Sequence, residues 1–290
     1  MNAPSSSWPG DDVRRRRRLR KGMYLLPSLF TTANIAAGFY ALSQAIQGSA
    51  TEPWHFDWSA KAIGFAILFD GLDGRIARMT NTTSDFGKQL DSLADVITFG
   101  VAPAMLAWLW GFRMLPAMAQ PDLRVRLVQI GVIACFMFLM AGASRLARFN
   151  IQLNPQPSNP GRPGRKYFVG MPIPAGAGAI AAAVHFWNGV PLDTWWWAAV
   201  WTAFVVALSF LMVSTWRFYS FKDIDLRARH PFYRILLIGL LIGGIWYFST
   251  FVLFFLALTY MLSGVFARLA YVLRRRQAAP AAYEEASEMR

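Results

Sequence analysis

The chain is poor in the residues that build soluble metal and redox centres. It has one cysteine, Cys135, and three scattered histidines, His55, His185 and His230. A lone cysteine in an apolar run offers neither a disulfide nor a thiolate metal set and reads as a small core residue. The histidines lack the spacing of a zinc site. Acids are also scarce: 16 Asp and Glu stand against 29 Lys and Arg, for a formal charge of +13. The basic residues cluster beside apolar segments. That placement suits membrane topology and anionic headgroups and gives no case for a nucleic-acid partner. Long polar stretches are missing too. The chain is 55% hydrophobic, with 23 Phe and 12 Trp, which excludes an ordinary soluble domain.

Apolar runs predict an all-α fold, a polytopic integral membrane helical bundle of about eight transmembrane helices with both termini cytoplasmic. The expected spans are 24–46, 58–79, 86–112, 128–146, 174–187, 195–213, 235–249 and 252–271. Residues 1–22 read as a basic cytoplasmic tail, 23–273 as one membrane domain and 274–290 as an irregular cytoplasmic tail. The loop 47–57 carries Glu52 and Asp57 without a lysine or arginine and is expected outside, whereas the turn near Arg75, Arg78 and Lys88 is expected inside. Residues 113–126 depart from this rule, with three arginines in a loop that alternation puts outside. Trp195 to Trp197 read as an interfacial belt.

Against that background the stretch Asp70 to Asp95 stands out: D-G-L-D-G-R-I-A-R-M-T-N-T-T-S-D-F-G-K-Q-L-D-S-L-A-D. Asp70 and Asp73 are three apart, and Asp91 and Asp95 four apart, so each pair shares a helix face. Apolar sequence flanks both pairs, and the polar link 80–84 suits a tight turn, with Ser84 or Asp85 available to cap the next helix. Four carboxylates are thus aimed at one another near the end of two membrane helices. An acid inside a membrane costs roughly 2.5–3.5 kcal/mol, and like charges add repulsion. Mg²⁺ or Mn²⁺ relieves both costs, because hard cations prefer carboxylate oxygen. Two ions bridged by shared aspartates would suit phosphoryl transfer. Gly74 lies one turn after Asp70 and Gly87 one turn before Asp91, where a missing side chain lets a ligand approach. A cation or proton relay in a transporter is the alternative from a different class.

The pattern D-x-x-D-G-x-x-A-R, eight residues, G-x-x-x-D-x-x-x-D resembles the signature of the CDP-alcohol phosphotransferase family. It is complete here as Asp70, Asp73, Gly74, Ala77, Arg78, Gly87, Asp91 and Asp95. The end of the fourth span, A-S-R-L-A-R-F-N, the entry G-M-P-I-P and the stretch S-T-W-R-F-Y-S-F-K are similar to the phosphatidylserine synthase branch of that family. The resemblance implies a membrane helical bundle, usually homodimeric, with a polar cavity open to the cytoplasm. A bacterial inner membrane is the expected location. The reaction it implies is attack by an alcohol, here L-serine, on CDP-diacylglycerol, with release of CMP and formation of phosphatidylserine. Choline or another alcohol is the alternative acceptor.

Roles follow position by position. Asp70, Asp73, Asp91 and Asp95 would be metal ligands, with Asp91 and Asp95 catalytic and Asp95 taking the acceptor's proton. Asn34, Gly74, Ala77, Arg78 and Gly87 would receive CDP-diacylglycerol. Asn34 sits inside apolar sequence, where its amide must find a partner, either another helix or a nucleotide. Arg145 and Arg148 share a helix face, and with Asn150, Arg165 and Lys166 they form the candidate site for the serine carboxylate or a phosphate.

Overall fold

In a computed structural model of the chain, residues 29–80, 85–116, 121–151, 167–219 and 231–288 are described; the side chains at 73–80, 85, 121, 167, 231–235, 238, 272 and 274–288 lie outside that description. The calls on residues 1–22, on Ser84 and on Arg165 and Lys166 fall on residues that are not described.

Helix α1 spans 29–47. It is followed by α2 (Trp54–Thr80), α3 (Asp85–Asp95), a π-helical turn (Val96–Val101), α4 (Ala102–Trp108) and a second π-helical turn (Leu109–Arg113). Then come α5 (Pro121–Ile151), strand β1 (Tyr167–Val169), α6 (Ile173–Phe186), α7 (Trp195–Val213), strand β2 (Arg217–Tyr219) and α8 (Pro231–Glu288). The first π turn has a local cause. Pro103 has no N–H and its ring crowds the carbonyl one turn back, so the ladder widens and Ala102 N–H reaches Ile97 O, five residues earlier. The widening falls immediately after Asp95.

The core forms where α2 packs on α6, α5 on α7, and α4 with its flanking π turns between them. Phe56, Phe99, Trp110, Phe112, Phe138 and Ile180 are fully buried there. Two of the core indoles have their N–H groups satisfied by backbone carbonyls. Trp110 Nε1 donates to Val190 O at 2.9 Å and Trp201 Nε1 to Ala107 O at 3.1 Å, with the two rings edge to face at 5.0 Å. Cys135 is buried in this core, as its apolar context implied.

The two short strands pair antiparallel, Phe168 opposite Phe218, and fasten the segment before α6 to the segment after α7. Gly170 follows β1 with φ +74°, and a Cβ there would lie 2.5 Å from Met212 O, so only glycine fits.

Four described helices are long and apolar enough to cross a membrane: Phe86–Arg113, Asp122–Ile151, Trp195–Val213 and Gly239–Tyr271. The boundaries of α7 are those read from the sequence. Helix α6 covers the span expected over 174–187 to within one residue at each end; its 14 residues reach about 21 Å and most of them are buried. Over the two spans expected at 235–249 and 252–271 the chain forms two helices that meet at a kink at Phe248 (φ −132°, ψ 41°), together labelled α8. The second continues to Glu288, through a tail expected to be irregular; its Ala- and Glu-rich sequence favours helix.

A polar lock ties three elements together at the start of α2. Asp57, one residue before the second expected span, accepts from His185 Nδ1 of α6 and pairs with Lys61 Nζ at 2.7 Å. His185 Nε2 faces Ser249 Oγ of α8 at 2.9 Å. Burial pushes the Asp57 carboxyl up, but the hydrogen bonds from His185 and Lys61 outweigh burial and hold it below its ordinary value of 3.8. The stabilisation from this carboxylate is therefore present at neutral pH and fades as pH falls below 3.8. We expect His185→Ala to lower the thermal midpoint in detergent at a cost of about 1–3 kcal/mol, and Asp57→Asn to blunt the acid-side loss of stability. A wild-type midpoint in His185→Ala would remove the lock from the account.

Candidate metal and acceptor site

About 20 Å along α2 from Asp57, at a rise of 1.5 Å per residue, the helix delivers Asp70. Oxygens of Asp70, Asp91 and Asp95 lie within 4.8 Å of one another, and all three residues are half-buried. Asp91 and Asp95 meet Asp70 here, in keeping with their i,i+4 spacing on one helix face. Two oxygens on opposite sides of an octahedral Mg²⁺ are about 4.2 Å apart, so the cluster closes on such an ion with small side-chain movement. Three all-oxygen donors with no thiolate or imidazole among them suit a hard cation. The residues therefore fit a divalent cation. Asp73, Gly74, Ala77 and Arg78 lie on the helical backbone of α2, their side chains outside the description.

Helix α3 positions Asp91 and Asp95 with little packing of its own. Among its described side chains only Ala94 is buried, whereas Phe86 and Leu93 are 77% and 62% exposed. Gly87 lies in its first turn, half-buried. One turn beyond Asp95 the chain becomes well anchored. Thr98 Oγ1 donates to Asn34 O at 3.1 Å, and a Cβ on Gly38 would lie 2.4 Å from that same hydroxyl, so α1 crosses the π turn at close range. The Asn34 side chain is 1% exposed, and both its amide nitrogen and its oxygen lack a hydrogen-bond partner. A buried amide without partners is costly unless a ligand completes it.

The basic half of the site comes from the end of α5. Arg145 is 9% exposed, with its Nε buried and without a partner. It stands within electrostatic reach of Asp95 and Arg148, and of Tyr260 on α8, a neighbour that sequence spacing does not reveal. Arg148 is half-buried; its Nη1 donates to Val213 O at 3.4 Å and its Nη2 is buried without a partner. Asn150 is exposed and turned differently: its Nδ2 donates to Ser92 Oγ of α3 at 2.9 Å. At 100° per residue Asn150 lies about 140° around α5 from Arg145, so the two do not share a face. Among the described side chains the structure thus brings together Asp70, Asp91 and Asp95 and places Arg145 within electrostatic reach of Asp95, with Arg148 beside Arg145. Sequence reasoning missed Ser92, Thr98 and Tyr260. Ser92 had a signal, since it sits directly beside Asp91.

The chain is similar in sequence to known proteins. The CDP-alcohol phosphatidyltransferase family model matches residues 24–213. A Helicobacter pylori CDP-diacylglycerol–serine O-phosphatidyltransferase is 36% identical over 209 residues, covering 70% of this chain and 75% of that protein. Proteins of the same name from Bacillus subtilis and Mycobacterium leprae are 32% and 33% identical. These matches cover 69% of this chain in each case, and 93% and 60% of the respective relatives.

Asp91→Asn removes one ligand charge while keeping the side chain's shape. We expect it to weaken Mn²⁺ binding, read by electron paramagnetic resonance of purified protein, by about 10-fold or more at unchanged helix content. Binding equal to wild type would take Asp91 out of the metal set.

Proposed function

The chain belongs to the CDP-alcohol phosphatidyltransferase family, and we propose that it transfers the phosphatidyl group of CDP-diacylglycerol to the hydroxyl of L-serine, releasing CMP and forming phosphatidylserine. The observation that carries this reading is the meeting of Asp70, Asp91 and Asp95 within 4.8 Å, in a chain whose relatives are named for that transfer. It is an integral membrane enzyme of phospholipid synthesis. We place it in a bacterial cytoplasmic membrane, as a homodimer, with the site on the cytoplasmic side; the basic runs flanking its apolar segments support that orientation.

Asp70, Asp91 and Asp95, with Asp73, would hold two Mg²⁺ or Mn²⁺ ions. When bound, such ions neutralise charge on the diphosphate and on departing CMP. The remaining work belongs to the chain. Asn34 offers a buried donor and acceptor side by side, the complement of a cytosine edge. Gly74, Ala77 and Gly87 leave room for the nucleotide along α2 and α3, and Arg78 steadies the diphosphate. Arg145 and Arg148 hold the serine carboxylate, and Arg165 and Lys166 add positive charge on the same side. Serine Oγ forms a bond to the phosphorus that carries diacylglycerol, and the bond from that phosphorus to the CMP oxygen breaks. The hydroxyl proton passes to Asp95. A carboxylate near cations is a weak base, so this transfer is favourable only as attack makes the hydroxyl acidic.

Purified protein given CDP-diacylglycerol, Mn²⁺ or Mg²⁺ and one acceptor at a time should release CMP only with both metal and serine. Release with choline or glycerol 3-phosphate but not serine would move the acceptor to a sister branch. No release from folded, metal-binding protein would favour cation transport. Arg145→Gln should raise the serine KM roughly 10-fold or more while leaving the CDP-diacylglycerol KM little changed, because a charged hydrogen bond to the carboxylate is lost.

A further inference from the structure

Helix α3 carries two of the candidate metal ligands, yet among its described side chains only Ala94 is buried. The arginines stand on another element, α5, where Arg145 lies within electrostatic reach of Asp95 and beside Arg148. Transfer needs the acceptor and the metal cluster at a fixed separation, and an error of about 1 Å in such an arrangement costs on the order of 100-fold in rate. Something must therefore register α3 against the end of α5.

The hydrogen bond between Asn150 and Ser92 is placed to do this. Ser92 lies between Asp91 and Asp95, and its Oγ donates to Lys88 O at 2.9 Å, one turn back. With its only proton committed there, the hydroxyl presents lone pairs outward, and Asn150 Nδ2 donates into them at 2.9 Å. Asn150 lies two residues beyond Arg148, in the last turn of α5. A shift of α5 by one residue would move both arginines by about 1.5 Å and break this contact. The bond is short-range and directional, which apolar packing is not.

We infer that the Asn150–Ser92 hydrogen bond registers the arginine-bearing end of α5 against the metal-bearing helix α3, making Ser92 and Asn150 positioning residues that set the distance between bound acceptor and metal cluster. The inference rests on the reading of the arginines as the acceptor site. Neither residue need touch the reacting atoms. Asn150 belongs with the serine site through its hold on α3, and Ser92 acts only through Asn150 and the helix on which it sits.

A double-mutant cycle tests this. Ser92→Ala and Asn150→Ala should each raise the serine KM roughly 3- to 10-fold, the range expected for one neutral hydrogen bond, with the CDP-diacylglycerol KM and the thermal midpoint close to wild type. The double variant should be no worse than either single variant, because both remove one interaction. Ser92→Thr keeps the hydroxyl and should restore the serine KM. Mn²⁺ affinity, measured by electron paramagnetic resonance, should stay near wild type in all four, since the ligands are intact. Fully additive effects, equal rises in both KM values, or single variants indistinguishable from wild type would each overturn the registration. Wild-type protein that releases no CMP with serine would instead overturn the functional reading, and the acceptor role with it.

Discussion

Everything at this site answers to the mutual repulsion of carboxylates. Ionised oxygens 4.8 Å apart oppose one another by about 3.5 kcal/mol per pair at an effective dielectric near 20. Half-buried, Asp70, Asp91 and Asp95 disperse only part of that energy into water. The chain has few acids, yet it concentrates five of them between Asp70 and Asp95. Such an arrangement persists when the surrounding structure holds the backbone in place and when a cation removes the repulsion.

The scaffold supplies the first condition unevenly. Helix α2 is held at its far end by the Asp57, His185 and Ser249 lock, and along its length by α6. The helix of Asp91 and Asp95 is held on its C-terminal side, where Thr98 bonds to Asn34 and the π turn widens ahead of Pro103. Firm anchoring therefore stops one turn short of the ligands on α3. The exposed Phe86 and Leu93 show how little apolar packing that segment has. Polar contacts, above all that from Asn150, take over where hydrophobic packing ends.

A division of labour follows. Carboxylates gather on α2 and α3, guanidinium groups on α5, and the buried amide of Asn34 on α1. Arg145 thus reaches Asp95 from a different helix, so the acidic and basic halves of the site are brought together by packing and not by local sequence. The indole cluster of Trp110 and Trp201 stiffens the bundle away from this polar end, with each N–H spent on a backbone carbonyl.

Much of this was legible in the residues alone. The aspartates could be found because helical periodicity converts spacing into a shared face, and because four acids in so apolar a chain demand a partner. The limits of α7 were equally plain, since an uninterrupted apolar run has only one way to sit in a bilayer. What the sequence could not supply were contacts between distant stretches: Asp57 with His185, Thr98 with Asn34, Ser92 with Asn150. Nor could apolarity alone distinguish a lipid-facing helix from the packed α6. Periodicity acts over a few residues and so determined the faces of the helices. Which face meets which depends on packing among all of them together, and only the tertiary structure decided that.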